Sequence, residues 1–147
     1  MKRLLPGCAA LLALASLVPL AHARPLVPAE QRYRPFTADL PACDDPGVLD
    51  TIISRFQQKE SGYWNSALEI KLFDHIHESG FRSNGLDYIP RRYCTARALL
   101  NNDRLHHVTY WVGERTGIIG WSYGVEWCVQ GLDRNNAYAP ACRAARH

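Results

Sequence analysis

The chain has no hydrophobic run long enough to cross a membrane. Its longest apolar stretch runs from Ala9 to Val18, contains Ser16, and is broken by Pro19. A membrane-spanning helix needs about 20 consecutive, mostly apolar residues. We therefore expect no membrane span in the mature protein.

Lysine is scarce, and neither sign of charge is in large excess. The only lysines are Lys2, Lys59 and Lys71, whereas arginine is plentiful. Removing Lys2 and Arg3 from the 17 basic residues leaves 15, against 14 acidic ones. A nucleic-acid-binding domain typically carries a clustered and much larger basic excess. The sequence therefore predicts no nucleic-acid binding.

The cysteine spacing of a zinc site is also missing. The sequence has no Cys-x-x-Cys pair of the kind that binds zinc. No cofactor and no catalytic residue is predicted, and a binding role is favoured over an enzymatic one.

The first 23 residues have the three parts of a secretory signal peptide. Lys2 and Arg3 give a positive start, the apolar stretch follows, and Ala21-His22-Ala23 is a small-residue cleavage signal. Cys8 precedes the apolar stretch, and this order is wrong for lipid attachment. We predict cleavage after Ala23 and a periplasmic or secreted protein.

Four cysteines remain after this cleavage, which is an even number in a protein predicted to be exported. Two disulfides are the default in an oxidising compartment, and three pairings are possible. We favour Cys43–Cys94, which ties the segment before the first helix to the sheet, and Cys128–Cys142, which closes a short loop and ties down the tail.

A proline-rich arm and one helix open the mature chain. Residues 24–42 contain four prolines and read as an extended arm before a domain at 43–147. Asp44-Asp45-Pro46 is a helix start, because an acidic N-cap is followed by proline in the first turn. Apolar residues then recur at helical spacing, and Gly62 is expected to end the helix. These residues are Val48, Leu49, Ile52, Ile53 and Phe56.

The rest of the chain is predicted to form strands. Leu68, Ile70 and Leu72 alternate with polar residues, although a helix continuing through Trp64, Leu68 and Leu72 is the alternative. Turns are expected at Ser79-Gly80, Asn84-Gly85 and 101–103, and a hairpin loop at 114–117. The later strands are predicted at 93–100, 105–112 and 118–129, the last with Trp121, Tyr123, Val125, Trp127 and Val129 on one face.

These elements predict an α+β domain, in which one amphipathic helix packs on a curved antiparallel sheet of about four strands. The element order over residues 44–130 resembles the cystatin-like arrangement. The resemblance lies in the order of elements alone, so it implies a fold and carries over no functional residues.

The sheet face away from the helix is the candidate binding surface. If Tyr110 and Val112 face the core, then His107, Thr109 and Trp111 point outward. Tyr93, Arg97 and Glu126 are expected to join them from neighbouring strands. We name Arg97, His107, Trp111 and Glu126 as the contact residues, because arginine and aromatic residues dominate binding hot spots. The alternative is a solvent-exposed face with no binding role, on which arginine stacks on tryptophan.

The function predicted from these observations is binding of an envelope protein or a small ligand. One alternative is an enzyme that uses His107 and Glu126 as acid and base in a concave pocket. Another is a metal carrier using His75, His77 and one of His106 and His107, which requires these side chains to converge. Exposed histidines near strand ends are the simpler interpretation.

Overall fold

A computed structural model of the chain describes residues 36–83 and 89–146. The predicted signal peptide, the first part of the predicted arm and the Asn84-Gly85 loop lie outside the described residues. No helix in the described part is long and apolar enough to span a membrane.

The predicted fold class is confirmed: one helix packs against a four-stranded antiparallel sheet. The strands follow one another in the sheet in chain order, β1-β2-β3-β4. The elements are α1 (Pro46–Trp64), β1 (Ile70–Arg82), β2 (Arg91–Leu100), β3 (Leu105–Gly113) and β4 (Gly124–Val129), with 3-10 turns at Ile118–Gly120 and Arg143–Ala145.

Helix α1 begins where its capping residues predict. The Asp45 carboxylate accepts the backbone N–H groups of Gly47 and Val48, and Pro46 occupies the first turn. The helix does not end at Gly62 but continues to Trp64. It ends there because Asn65 adopts the left-handed conformation and donates its N–H to the Glu60 carbonyl.

The main core lies between α1 and one face of the sheet. Val48, Ile52 and Phe56 from the helix are fully buried there. The small residues of β2, Cys94, Ala96 and Ala98, face the helix together with Tyr110 and Val112 of β3. The sheet contributes Ile70, Cys94, Ala96, Ala98, Leu100, Val108, Tyr110, Val112, Val125 and Val129.

Strand β1 is longer and more irregular than its sequence suggested. The strand interpretation of Leu68 to Leu72 is correct, although the strand starts at Ile70. The turn expected at Ser79-Gly80 is wrong, since both residues lie within β1 at one of three register shifts. Such bulges bend a strand and increase its twist. A glycine therefore marks a bulge here and not a chain reversal.

The last strand is half as long as predicted. It starts at Gly124 and not at Ile118, because residues 118–120 form a 3-10 turn. The Gly117 N–H donates to the Ser122 carbonyl at 3.0 Å and closes this loop. Tyr123, Val125, Trp127 and Val129 do contact the core, but Trp121 points into solvent.

Both disulfides have the favoured pairing. Cys43–Cys94 belongs to the main core, whereas Cys128–Cys142 sits in a separate small cluster with Ala145 and Tyr138. The second bond holds the C-terminal segment against the sheet. Each of these two bonds therefore lies in its own apolar environment.

Glu114 fastens the described end of the predicted arm. Its carboxylate accepts the backbone N–H groups of Thr37 at 3.0 Å and Ala38 at 2.8 Å, and the residue is buried. Leu40 then enters the core. The part of the arm that is described is thus bound to the domain at the β3–β4 loop.

Replacing Glu114 with alanine is expected to lower the free energy of unfolding by about 2 kcal/mol, because two backbone donors lose a charged acceptor. Urea unfolding measures this loss, and limited proteolysis should show faster cleavage near residue 38. Glu69→Ala is the control, since Glu69 makes its contacts at the surface with Gln57 and Lys71. Equal stability of the two variants would show that the Glu114 hydrogen bonds to Thr37 and Ala38 do not stabilise the fold.

Candidate binding surface

The outer face of the sheet, meaning the face away from α1, carries all four residues predicted to bind. Arg97 pairs with His107 across β2 and β3, and Trp111 pairs with Glu126 across β3 and β4. The pairing Thr95–Thr109 lies between these two pairs. The strand register therefore places the four residues on one face, in two groups separated by a row of threonines.

The first group is part of a row of charged residues. Asp74 of β1 lies opposite Arg97, and the contact is bidentate: Nε donates to Oδ1 at 2.8 Å and an Nη donates to Oδ2 at 2.7 Å. These hydrogen bonds from Arg97 hold the pKa of Asp74 below its ordinary value and raise the pKa of Arg97. We call Asp74, Arg97 and His107 the charged row.

A row of leucines lies directly beside the charged row. Leu72, Leu99 and Leu105 occupy neighbouring positions of β1, β2 and β3 on the outer face. Leu72 is 46% exposed and Leu105 is 55% exposed. We call these three residues the leucine row, and it gives the polar outer face an exposed apolar border.

The histidines of β1 lie at the bulge next to the charged row. Arg97 donates to Nδ1 of His75 at 2.8 Å, and the His77 ring lies 2.8 Å from the Thr95 hydroxyl. His106 faces the other way and its Nδ1 lies 2.9 Å from the Gln130 carbonyl oxygen. Within residues 36–83 and 89–146, no three side chains of metal-ligating type come together. The two β1 histidines are instead bonded to arginine and threonine.

The second group, Trp111 and Glu126, lies next to the C-terminal segment. The Arg91 guanidinium lies 4.7 Å from the centre of the Trp111 ring. This is the arginine–tryptophan stacking expected for a solvent-exposed face with no binding role. The Tyr138 hydroxyl donates to the Glu126 carboxylate. Burial raises the pKa of Tyr138, and the hydrogen bond to Glu126 raises it further. Glu126 thus helps to hold the tail.

His107 and Glu126 are not within reach of each other. His107 is paired with Arg97, whereas Glu126 is paired with Trp111, four residues farther along β3. At about 3.3 Å per residue, this separates the two positions by about 13 Å. Two shallow clefts of about 400 and 380 Å³ are lined by other residues. A direct acid–base pair requires hydrogen-bond distance, so this geometry does not favour one.

Sequence reasoning missed the leucine row. Leu99 and Leu105 were assigned to strands, but their common face followed only from the register of β2 with β3. Leu72 was read as part of an alternating pattern, and the bulge at Lys71 moves it to the opposite face from Ile70 by an irregular step. One signal could have identified part of this row. Arg97 and Leu99 are two residues apart in the strand predicted at 93–100, so their side chains lie on the same face.

Together these features define a small disulfide-linked α+β protein whose outer sheet face is mixed polar and apolar and is partly covered by the C-terminal segment. No family model, no curated protein and no solved structure matches the chain.

Proposed function

We propose that this chain is an exported protein that binds another protein of the cell envelope through the outer face of its sheet. The observation that carries the proposal is the adjacency of the leucine row and the charged row. An exposed apolar strip next to arginine and histidine has the composition of a protein-binding surface.

Export is supported by two separate features. The first 23 residues have the pattern of a cleavable signal peptide, and both cysteine pairs are joined. Disulfides persist in oxidising compartments such as the bacterial periplasm and are rare in the cytosol. Mass spectrometry of the protein recovered after export tests this part directly. A chain starting at Arg24 with two disulfides is expected, and an intact leader would contradict it.

A protein partner fits the surface better than a small ligand does. Small-molecule sites are concave and bury most of the ligand. The two rows lie instead along three adjacent strands, with Leu72 and Leu105 about half exposed. Arg97 is already held in place by Asp74, so its side chain is ordered before any partner binds. Ordering a side chain in advance lowers the entropic cost of association.

A photo-crosslinking residue at position 105, introduced in living cells, tests the surface. We expect a discrete adduct from position 105 and none from position 63, where Tyr63 is exposed at the end of α1. Trp111→Ala should weaken binding of the captured partner by roughly thirtyfold, the loss typical of a hot-spot residue. Circular dichroism of the variant guards against misfolding.

The proposal fails if position 105 gives no adduct or if Trp111→Ala leaves the affinity unchanged. Leu105→Ser provides an independent check, because Leu105 is exposed and its replacement leaves the core intact. It should also lower the affinity. A partner that crosslinks equally well at positions 63 and 105 would indicate nonspecific contact.

A further inference from the structure

The loop between β3 and β4 ends in an exposed apolar tip that the proposed function does not use. Ile118 is 79% exposed, and Ile119 and Trp121 are each 91% exposed. Side chains this open to water project from the body of the protein and contact very little of it. We call residues 118–121 the tip.

Hydrogen bonds within the loop hold the tip in one shape. The Gly120 N–H donates to the Gly117 carbonyl at 3.1 Å, and the Trp121 N–H donates to the Ile118 carbonyl at 3.2 Å. The Thr116 hydroxyl accepts the Gly124 N–H at 3.0 Å at the base. These backbone donors are therefore satisfied within the loop, which is a requirement for entering an environment with little water.

Ile119 adopts a backbone conformation that is unfavourable for its side chain. Its φ is +58°, in the left-handed region that β-branched residues rarely occupy. Glycine or asparagine would adopt it at much lower cost. A strained residue with no buried contact to compensate is a sign that the side chain serves something other than folding.

The surroundings of the tip combine neutrality with positive charge at the base. Residues 116–125 contain no charged side chain. Arg115 directly precedes them, with its guanidinium 5.4 Å from the centre of the Phe36 ring. Arg55 of α1 lines a cleft together with Ile118 and Ser122. Apolar side chains at the end and arginines behind them match the order of acyl chains and phosphates in a membrane surface.

We propose that the tip inserts into the interface of a lipid bilayer that contains anionic phospholipids. Tryptophan favours this interface, because its ring is apolar and its N–H is polar. A stable protein interface buries about 800 Å² on each partner, and the three side chains of the tip expose less area than that. Insertion into a lipid surface does not require a minimum buried area of this size. The contact is expected to be weak and reversible, and it is independent of the outer face of the sheet.

Flotation with vesicles of phosphatidylethanolamine containing one quarter phosphatidylglycerol tests the proposal. The protein is recovered from an export-competent host, so that all variants share the same processing. Wild-type protein should float with the vesicles, and its tryptophan emission should shift to shorter wavelength. Trp121→Phe should abolish that shift, because Trp121 is the most exposed of the tryptophans in the described part of the chain.

Ile119→Asn separates lipid binding from folding. Asparagine relieves the backbone strain, so the melting temperature should rise. The vesicle partition coefficient should nevertheless fall by about tenfold, because an apolar side chain no longer leaves water. Tyr63→Ser is the matched control, since Tyr63 is 81% exposed on another part of the surface and its loss should not change partitioning.

Four results would overturn the proposal. The first is wild-type protein that the vesicles do not retain, and the second is Ile119→Asn that partitions as strongly as wild type. Binding that disappears in high salt and is insensitive to the tip substitutions would show attraction by arginine alone. Crosslinking of position 121 to a protein, without lipid binding, would assign the tip to a protein partner instead.

Discussion

Replacing Cys43 and Cys94 together with alanine is expected to lower the free energy of unfolding by about 4 kcal/mol. The bond joins residues 51 positions apart, and closing a loop of that length removes much of the freedom of the unfolded chain. Both cysteines are buried in the main core, where the Cys43 carbonyl also accepts the hydroxyl of buried Tyr110 at 2.7 Å. Urea unfolding under oxidising conditions measures the effect.

The second disulfide provides the comparison. Cys128 and Cys142 are 14 positions apart, so their joint replacement by alanine should cost about 3 kcal/mol. Their cluster is separate from the main core. We therefore expect protease to cut the segment after Val129 while the sheet remains folded. If the Cys128–Cys142 variant were the less stable of the two, the assignment of Cys43–Cys94 as the main covalent tie would be wrong.

Arg134→Ala is the second substitution with a large expected effect. Glu60 is only 1% exposed, and an Nη of Arg134 donates to its carboxylate at 2.8 Å. The guanidinium also lies 5.2 Å from the centre of the Trp64 ring. Removing one partner of a buried ion pair leaves the other charge without compensation. We expect a loss of about 3 kcal/mol in the free energy of unfolding, the lower end of the usual range because the Arg134 side chain is partly exposed.

A second change should restore much of this stability. Glu60→Gln removes the buried charge at nearly constant shape, so the double variant Glu60→Gln/Arg134→Ala should be more stable than Arg134→Ala alone. Arg143→Ala is the control, because Arg143 is an exposed arginine of the same C-terminal segment. Chemical denaturation of all four proteins completes the comparison. A cost below about 1 kcal/mol for Arg134→Ala would place this pair with weak surface ion pairs.

The ordinary elements of the fold could be predicted from the sequence. Asp45 and Pro46 marked the start of α1, and the apolar spacing from Val48 to Phe56 identified its buried face. The β-branched and aromatic residues at 105–112 located β3, and the strand predicted at 93–100 corresponds to β2. These signals are local, since capping and periodicity depend on residues within one or two turns of each other.

The irregular parts could not be predicted in the same way. Alternation through Trp121 and Tyr123 predicted a strand there, but the hydrogen bond between Gly117 and Ser122 closes a loop, so the strand starts only at Gly124. Ser79 and Gly80 formed part of a bulged strand and not a turn. A bulge exists only in relation to the neighbouring strand, so no pattern within β1 alone indicates it.

The candidate binding surface also has features that the sequence predicts and features that it does not. That Arg97, His107, Trp111 and Glu126 share a face was predictable, because side chains alternate along strands and two of the strand positions were correct. Three other features could not be predicted, because they depend on the strand register and on the path of the C-terminal segment. These are the ion pair of Arg97 with Asp74, the contact of Tyr138 with Glu126, and the leucine row. Each joins residues distant in sequence.

The sequence by itself determined the helix and its inward face, the approximate positions of three strands, and the features that predict export. The four cysteines after the signal peptide allowed three pairings, and the segments that they join favoured one of the three. Only the tertiary structure decided the register of the four strands, the three bulges of β1 and the exposed tip at Ile119 and Trp121. The physical reason is range: propensity, capping and periodicity act between neighbours along the chain, whereas register and exposure depend on which distant segments the folded chain brings together.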